Sequence, residues 1–250
     1  MKIHKYSIKK SINFLKKNEC IGMPTETVYG LAANAYSDKA TLKIFKLKKR
    51  PKNNPLIVHY YDLDALKKDC HLNKYFNKLF KKFCPGPITF ILKLKKDSHI
   101  SKNVTNNKNT VAVRFPKHPI ARLLLRKINF PLAAPSANIS SSISPVTKSD
   151  VEDEFGNKIK YILNGGRSIV GLESTIVDVS NKPKIIRLGG LDLKNINKVL
   201  KLNLKYKFKN KIKFPGQTRL HYSPGIPIKL NVKIPKKKSA YLLINKKKIN

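Results

Sequence analysis

The chain has 250 residues, with 53 Lys plus Arg against 14 Asp plus Glu, a formal charge of +39 and 41% hydrophobic content. That length and apolar share suit one large domain, or one domain with an appendage. No apolar run approaches the roughly 18–20 residues that cross a bilayer, and Cys20, Cys70 and Cys84 are too few and too scattered for a disulfide framework or a zinc site.

In chain order, the opening "MKIHKYSIKKSINFLKK" spaces its apolar residues as an amphipathic helix does, without the contiguous apolar core of a signal peptide, so a cytoplasmic protein is expected. Ser7 is placed to cap that helix, which runs to about Asn18 and leads to a short strand, "CIGM". Asp38 can cap a second helix, "KATLKIFKLKKR", stopped by Pro51. "PLIVHY" reads as a strand, residues 62–83 as helix, and "ITFILKL" and "TVAVRF" as strands. A helix over 118–128 leads to the strand "PLAA". Further strands fit "KYILN", "STIVDV" and "KIIRL", and a helix fits 192–201. Alternating helices and strands predict an α/β fold with a mixed sheet.

After residue 201 the composition shifts: the last 50 residues hold 14 Lys and one Arg but no acidic residue. "KLNLKYKFKNKIKF" fits an edge strand or a basic linker, and "PGQTRLHYSPGIP" an ordered turn-rich loop. The remaining 25 or so residues are too few for a second core.

The charge itself predicts a loose, salt-sensitive attraction to RNA or acidic surfaces and identifies no partner. Its make-up is more telling. Lysine accounts for 46 of the 53 basic residues, so the seven arginines stand out. Arg50, Arg114, Arg167, Arg187 and Arg219 all lie within three residues of a Gly or Pro, and arginine offers a rigid fork for carboxylate or phosphate that lysine lacks. Arg122 and Arg126 read as helix surface.

Three Pro/Gly turns deliver small polar residues to strand ends. "GMPTETVYGLAANA" (22–35) holds no basic residue in a very basic chain. "LAAPSANISSSISP" supplies Ser136, Asn138 and Ser144, and "GGRSIVGLESTIVDV" supplies Glu173, Ser174 and Thr175. Ligands bind at such loops in α/β sheets. Lys48 and Arg50 sit at a helix end before a proline turn, where both can converge on one anion. Arg114, near the end of an apolar strand, must pair with a carboxylate of the protein or of a ligand. His59 is either a satisfied strand-end histidine or a ligand contact. Glu26 positions a neighbour or an ion, and the residues alone do not decide which. No P-loop, GxGxxG, HExxH or GxSxG motif occurs. The inventory favours a site that binds anions and orients reactants over one with a covalent nucleophile.

Taken in order, "PTETVYGLAANA", "KLKKRP…NPLIVH", "PGPITF", "TVAVRFP", "APSAN…S…SP" and "GLEST…D…IIRLGG" resemble the YrdC-like family of threonylcarbamoyl-AMP synthases over about residues 8–201. "PGQTRLHYSPGIP" resembles the interdomain linker of the longer, two-domain members, although Phe214 stands where that linker usually has Ser. The resemblance implies a twisted mixed β-sheet flanked by helices over 1–201, a linker or lid over 202–226, and over 227–250 a remnant of a C-terminal domain. It implies an L-threonylcarbamoyladenylate synthase, a nucleotidyltransferase that condenses L-threonine, bicarbonate and ATP and releases pyrophosphate. Mg2+ would accompany ATP, and no structural metal is expected. A partner transferase would carry the threonylcarbamoyl group to adenosine 37 of tRNAs reading ANN codons.

By the same resemblance, Lys48, Arg50, Ser136 and Asn138 form the reactive group around phosphate and carbamate. Arg50, Asn54, Thr110, Ser136, Ser144, Arg187, His221 and Tyr222 would bind ATP, and Thr27, His59, Arg114, Ala134 and Ser174 would bind threonine. Two rivals remain at this stage. A double-stranded RNA-binding module without catalysis would account for the charge but not for the polar cluster. A carbamoyl-transfer maturation domain would need zinc-finger and acylphosphatase segments that three scattered cysteines do not provide.

Overall fold

The computed structural model describes residues 2–206, with side chains from Tyr6 onward. Its helices are α1 (Lys2–Lys16), α2 (Asp38–Lys48), α3 (Leu63–Asp69), α4 (Lys74–Phe83), α5 (Lys102–Thr105), α6 (Pro119–Arg126), α7 (Lys148–Phe155) and α8 (Leu193–Leu200). The strands are β1 (Ile21–Met23), β2 (Gly30–Asn34), β3 (Ile57–His59), β4 (Cys70–His71), β5 (Ile88–Leu94), β6 (Thr110–Arg114), β7 (Leu132–Ala133), β8 (Tyr161–Ile162), β9 (Thr175–Asp178) and β10 (Lys184–Arg187). All ten join one sheet in the order β10-β9-β5-β6-β3-β7-β2-β1-β8, with β4 on β5. The β3–β6, β5–β9 and β1–β8 pairs are parallel and the others antiparallel, so the mixed α/β sheet is as expected.

Strand alternation sorts the core onto two faces. Leu31 and Ala33 of β2, Val58 of β3 and Val111 and Val113 of β6 point into the larger cluster, with Ile44 of α2, Phe76 and Leu79 of α4 and Ile196 of α8. Ala32 and Leu132 point the other way, against Ile8 and Leu15 of α1 and Ala121, Leu124 and Leu125 of α6. A third, small cluster of Ile57, Ile91, Ala112 and Ile176 consists of strand residues alone. By the same alternation His59 and Arg114 share its face, at the ends of β3 and β6, whose register pairs them directly. A bulge between Ile185 and Arg187 sets Arg187 opposite Ile176, turning its side chain toward that face as well.

Local chemistry explains the element ends. Ser37, rather than Asp38, caps α2 by accepting from Ala40 N; Asp38 is the first helical residue, and Lys49 closes the helix in the left-handed region at φ 49°. Helix α1 begins at Lys2, so Ser7 lies inside it and is not its cap: residues 2–6 contain no Gly or Pro to stop the helix. The expected helix over 62–83 is interrupted. Cys70 and His71 pair with Leu94 and Lys93 of β5, and Asn73 then caps α4 through Tyr75 N and Phe76 N. Asp69 fixes the break, because its buried carboxylate accepts hydroxyls from Tyr36, Tyr60 and Ser98 at 2.8–2.9 Å. Among the described residues no helix is long and apolar enough to cross a membrane.

Candidate active site

The three polar turns read from the sequence meet in space. Gly30 bridges Ser136, Tyr29 N donates to the Pro145 carbonyl, and Ala137 N donates to the Tyr29 carbonyl. On the other side, Val170 N and Gly171 N donate to the carbonyls of Glu26 and Thr27, and the Ser168 hydroxyl to that of Thr25. The Tyr29 phenol donates to the Gly166 carbonyl at 2.8 Å while accepting from Gly165 N. Positive φ at Gly166 and Gly171 (75° and 70°) lets this third turn lie flat against the first.

Between these turns and the sheet face lies a cleft of about 550 Å³, counted with its open mouth. Of the residues expected in the site, Arg50, His59, Arg114, Ala134, Ser136, Ser174 and Arg187 line it. Thr25, Tyr29 and Glu173 line it as well, though none was singled out as a ligand contact from the sequence. The signal was available, since all three lie in the turns that stood out there.

One end of the cleft carries two orphaned donors or acceptors. His59 and Arg114 are both almost fully buried, and neither His59 Nδ1 nor Arg114 Nε has a hydrogen-bond partner. Buried polar atoms without partners are rare and call for an explanation, and these two belong to residues that line the cleft. Burial, reinforced by the Arg114 charge, outweighs the opposing pull of Glu26 and of the Ile57 and Leu132 backbone and drives His59 down to about 3, so its imidazole is neutral. Arg114 Nη2 donates to Glu26 Oε1 at 2.7 Å, and the other Glu26 oxygen accepts from Lys117 N at 2.9 Å. Burial pushes the Glu26 carboxyl up, but Arg114 and the backbone donors of Glu26 and Lys117 together outweigh it and hold the group below its ordinary value, ionised. Thus the sequence question about Arg114 resolves both ways: it is in a salt bridge and still has an open donor.

The other end is cationic. Arg50 is held by Asn54, through its carbonyl and side-chain oxygen, and by the Pro55 carbonyl, at 2.7–2.9 Å. Arg187 is oriented by the Ser174 carbonyl at 2.9 and 3.1 Å, and Ser174 itself is fixed by the Thr89 hydroxyl at 2.6 Å. Burial and the neighbouring Arg187 lower Arg50 to about 9, which leaves it charged at neutral pH. Two guanidiniums in the lining of one cleft can bind an anion there.

Six more of the expected site residues are not among those that line the cleft. Lys48, the last residue of α2, is 1% exposed. The α2 helix packs its last turn against the 135–140 loop, and Lys48 Nζ donates to the Ser136 carbonyl at 2.7 Å and to the Asn138 carbonyl. Burial, with help from Arg50, pulls its ammonium well below the ordinary lysine value, against the opposing pull of Glu154 and Glu173. Asn138 turns its amide to the Ile139 and Ser142 carbonyls, and Asn54 serves Arg50. The Ser144 hydroxyl donates to Glu173 Oε1. Thr27 is fully buried with its hydroxyl 2.9 Å from that of Thr25. Thr110 begins β6, opposite Lys93 and four residues from Arg114, which puts it about 13 Å along the strand. His221 and Tyr222 lie outside the described residues. Among those described, no group of three His, Cys, Asp or Glu comes together to hold a metal ion.

The comparisons agree with this geometry. The family Sua5_yciO_yrdC, described as Telomere recombination, matches residues 13–189. The threonylcarbamoyl-AMP synthase of Pyrococcus abyssi is 37% identical over 236 residues, which cover 91% of this chain and 68% of that protein. The Bacillus subtilis enzyme of the same name is 37% identical over 228 residues, covering 88% of this chain and 65% of its own length. The crystal structure of P. abyssi Sua5 complexed with L-threonine superposes with a TM-score of 0.81 at 37% identity, covering 86% of this chain and 65% of that one. The chain therefore spans about two thirds of the length of these relatives. With the six motifs, the mixed sheet and the cleft at its strand ends all in agreement, the chain belongs to the Sua5/YciO/YrdC family.

Proposed function

We propose that the chain is an L-threonylcarbamoyladenylate synthase, an ATP-dependent nucleotidyltransferase that works at this cleft. The observation that carries the reading is the division of one cleft into two ends of different chemistry. At one end His59 Nδ1 and Arg114 Nε await partners; at the other, Arg50 and Arg187 converge. An amino acid placed at the first and a triphosphate at the second put the amine and the α-phosphate within one cleft. Relatives named threonylcarbamoyl-AMP synthase, and a Sua5 structure holding L-threonine, support the substrate choice.

In this reading the threonine carboxylate takes the open Nε of Arg114, with His59, Ser174 and the Ala134 backbone around the substrate. The threonine amine attacks bicarbonate and water leaves, giving a carbamate. A carbamate oxygen attacks the α-phosphorus of ATP, the bond to the β-phosphate breaks, and pyrophosphate departs. No side chain needs to become a covalent intermediate. Alignment and charge neutralisation supply the catalysis.

Arg50, oriented by Asn54, and Arg187, oriented by Ser174, neutralise the phosphates. The Ser136 hydroxyl faces the reacting atoms. Lys48 and Asn138 act through the loop that carries Ser136, and Ser144 holds Glu173 at the cleft wall. Thr27 supports Thr25 from behind. Thr110 would contribute only through the strand it begins, and His221 and Tyr222 would close over the nucleotide. The described residues do not build a resident metal cage, and Mg2+ would come as the chelate of ATP, with Glu173 as the carboxylate on the cleft wall. The product, a mixed anhydride, would pass to a transferase acting on tRNA, in a cytoplasmic pathway.

Calorimetric titration tests the binding half of this proposal. With a non-hydrolysable ATP analogue present, L-threonine should bind at one site per chain and L-valine, which lacks the hydroxyl, far more weakly. Equal binding of the two, or none of either, would reject the assignment.

A further inference from the structure

Glu26 is the residue whose role the sequence left open, and nothing in the assigned chemistry uses it. It does not line the cleft; it lies behind Arg114, nearly buried, with one oxygen on Arg114 Nη2 at 2.7 Å and the other on Lys117 N at 2.9 Å. Both oxygens are thus engaged, one by the side chain of the last residue of β6 and the other by a backbone N–H three residues beyond it. Its own backbone is also tied, the carbonyl accepting from Val170 N. A carboxylate held this firmly is a clamp. It fixes one edge of the Arg114 guanidinium, a side chain that lines the cleft and whose Nε is buried without a hydrogen-bond partner.

The clamp also sets charge. His59 is neutral, so Arg114 and Glu26 together give their part of the cleft a net charge of zero, whereas Arg50 and Arg187 bring two guanidiniums to its lining, Arg187 lowering Arg50. A zwitterionic amino acid has no net charge and fits the first end. Pyrophosphate and ATP are polyanions and fit the second.

Resting on the amino-acid subsite proposed above, we propose that Glu26 is a positioning and specificity-determining residue: it orients Arg114 for a carboxylate and cancels its charge, so that inorganic polyanions are kept out of the amino-acid end. Without it, a bare buried guanidinium would collect any phosphate in reach, including the reaction's own pyrophosphate.

The test compares the wild type with Glu26→Gln and Glu26→Asp, using pyrophosphate itself as the probe in calorimetry and threonine-dependent turnover as the second readout. The Gln side chain offers one acceptor for two donors and no charge. It should raise the threonine KM at least about tenfold, the worth of one lost charge-assisted hydrogen bond, with kcat little changed. It should also bind a second pyrophosphate that competes with threonine, where the wild type binds one. Glu26→Asp keeps the charge but shortens the reach, so it should raise the threonine KM while binding a single pyrophosphate. This variant carries the test if Glu26→Gln does not fold. Wild-type KM and a single pyrophosphate in Glu26→Gln, or wild-type KM in Glu26→Asp, would overturn the proposal. If the wild type showed no threonine dependence yet Glu26→Gln gained the second pyrophosphate, the clamp would stand and the threonine reading would fall.

Discussion

Lys48 Nζ donates to the Ser136 carbonyl at 2.7 Å and to the Asn138 carbonyl as well, so the cation expected to face the reactants is engaged by the loop that presents them. The loop answers in kind, since Ser140 N donates to the Lys48 carbonyl at 2.9 Å. Lys48→Met keeps an unbranched side chain only one atom shorter and removes the donor, leaving buried carbonyls without partners at a cost of about 1–3 kcal/mol each. Both the melting temperature and turnover should fall. Loss of turnover with an unchanged melting temperature would mean that the ammonium serves the substrate directly and not the loop.

Ser136→Ala provides the contrast. Its side chain is half-buried and borders the cleft, and Lys48 uses only its carbonyl, which the substitution retains. The melting temperature should stay within about 2 °C, since surface changes stay near ±0.5 kcal/mol, while turnover drops. Thermal melts alongside steady-state rates decide the matter, and a variant that merely unfolds would remove Ser136 from the reacting group.

Arg114→Lys keeps a cation for Glu26 but loses Nε, the donor that lacks a partner. Threonine affinity should weaken by about 1.5–3 kcal/mol, the value of a hydrogen bond to a charged group, and ATP affinity should hardly move. Unchanged threonine dependence would make Arg114 purely structural.

His59 gives a pH signature. Its folded value is about 3, depressed by burial and then by Arg114, so between pH 6.5 and 3 the unfolded chain binds a proton that the folded chain refuses. The stability that comes from keeping the ring neutral is fully present above pH 6.5 and declines as the pH falls, by about 1.4 kcal/mol per pH unit from this group. Denaturant titrations across that window should show a shallower decline for His59→Gln than for the wild type. Parallel declines would show that His59 takes up its proton in the folded protein too.

A Cβ at residue 189 would lie 2.3 Å from the Glu173 carbonyl oxygen and 2.6 Å from the Ser174 carbonyl carbon, both backbone atoms that cannot turn aside. Gly189→Ala must therefore shift the segment whose Ser174 carbonyl orients Arg187. The expected loss is about 1–3 kcal/mol of stability, together with weaker ATP binding by calorimetry. Wild-type ATP affinity would show that Arg187 does not depend on that carbonyl.

The elements that were legible carry strong local signals. The uninterrupted apolar runs of β5 and β6 are visible as strands, and Pro119 with the apolar spacing of "IARLLLR" marks α6. β2 was not legible because "GLAAN" is built from weak strand formers, and only its pairing with β1 and β7 makes it a strand. The α7 helix was missed although its Thr147–Asp150 capping box is a local signature. In the site, the arginines could be picked out because lysine is the default cation of this chain. Their partners could not. Glu26 and Arg114 are 88 residues apart, and their meeting depends on strand order. The inward turn of Lys48 likewise follows from the packing of α2 on a loop, which its helix-end position in the sequence does not reveal.

The most direct measurement supplies ATP, L-threonine and isotopically labelled bicarbonate, and follows both pyrophosphate and the labelled nucleotide. Pyrophosphate should appear only when threonine and bicarbonate are both present, in step with an adenylate that carries the labelled carbon and the threonine. Pyrophosphate release without threonine, or an adenylate without the labelled carbon, would contradict the account.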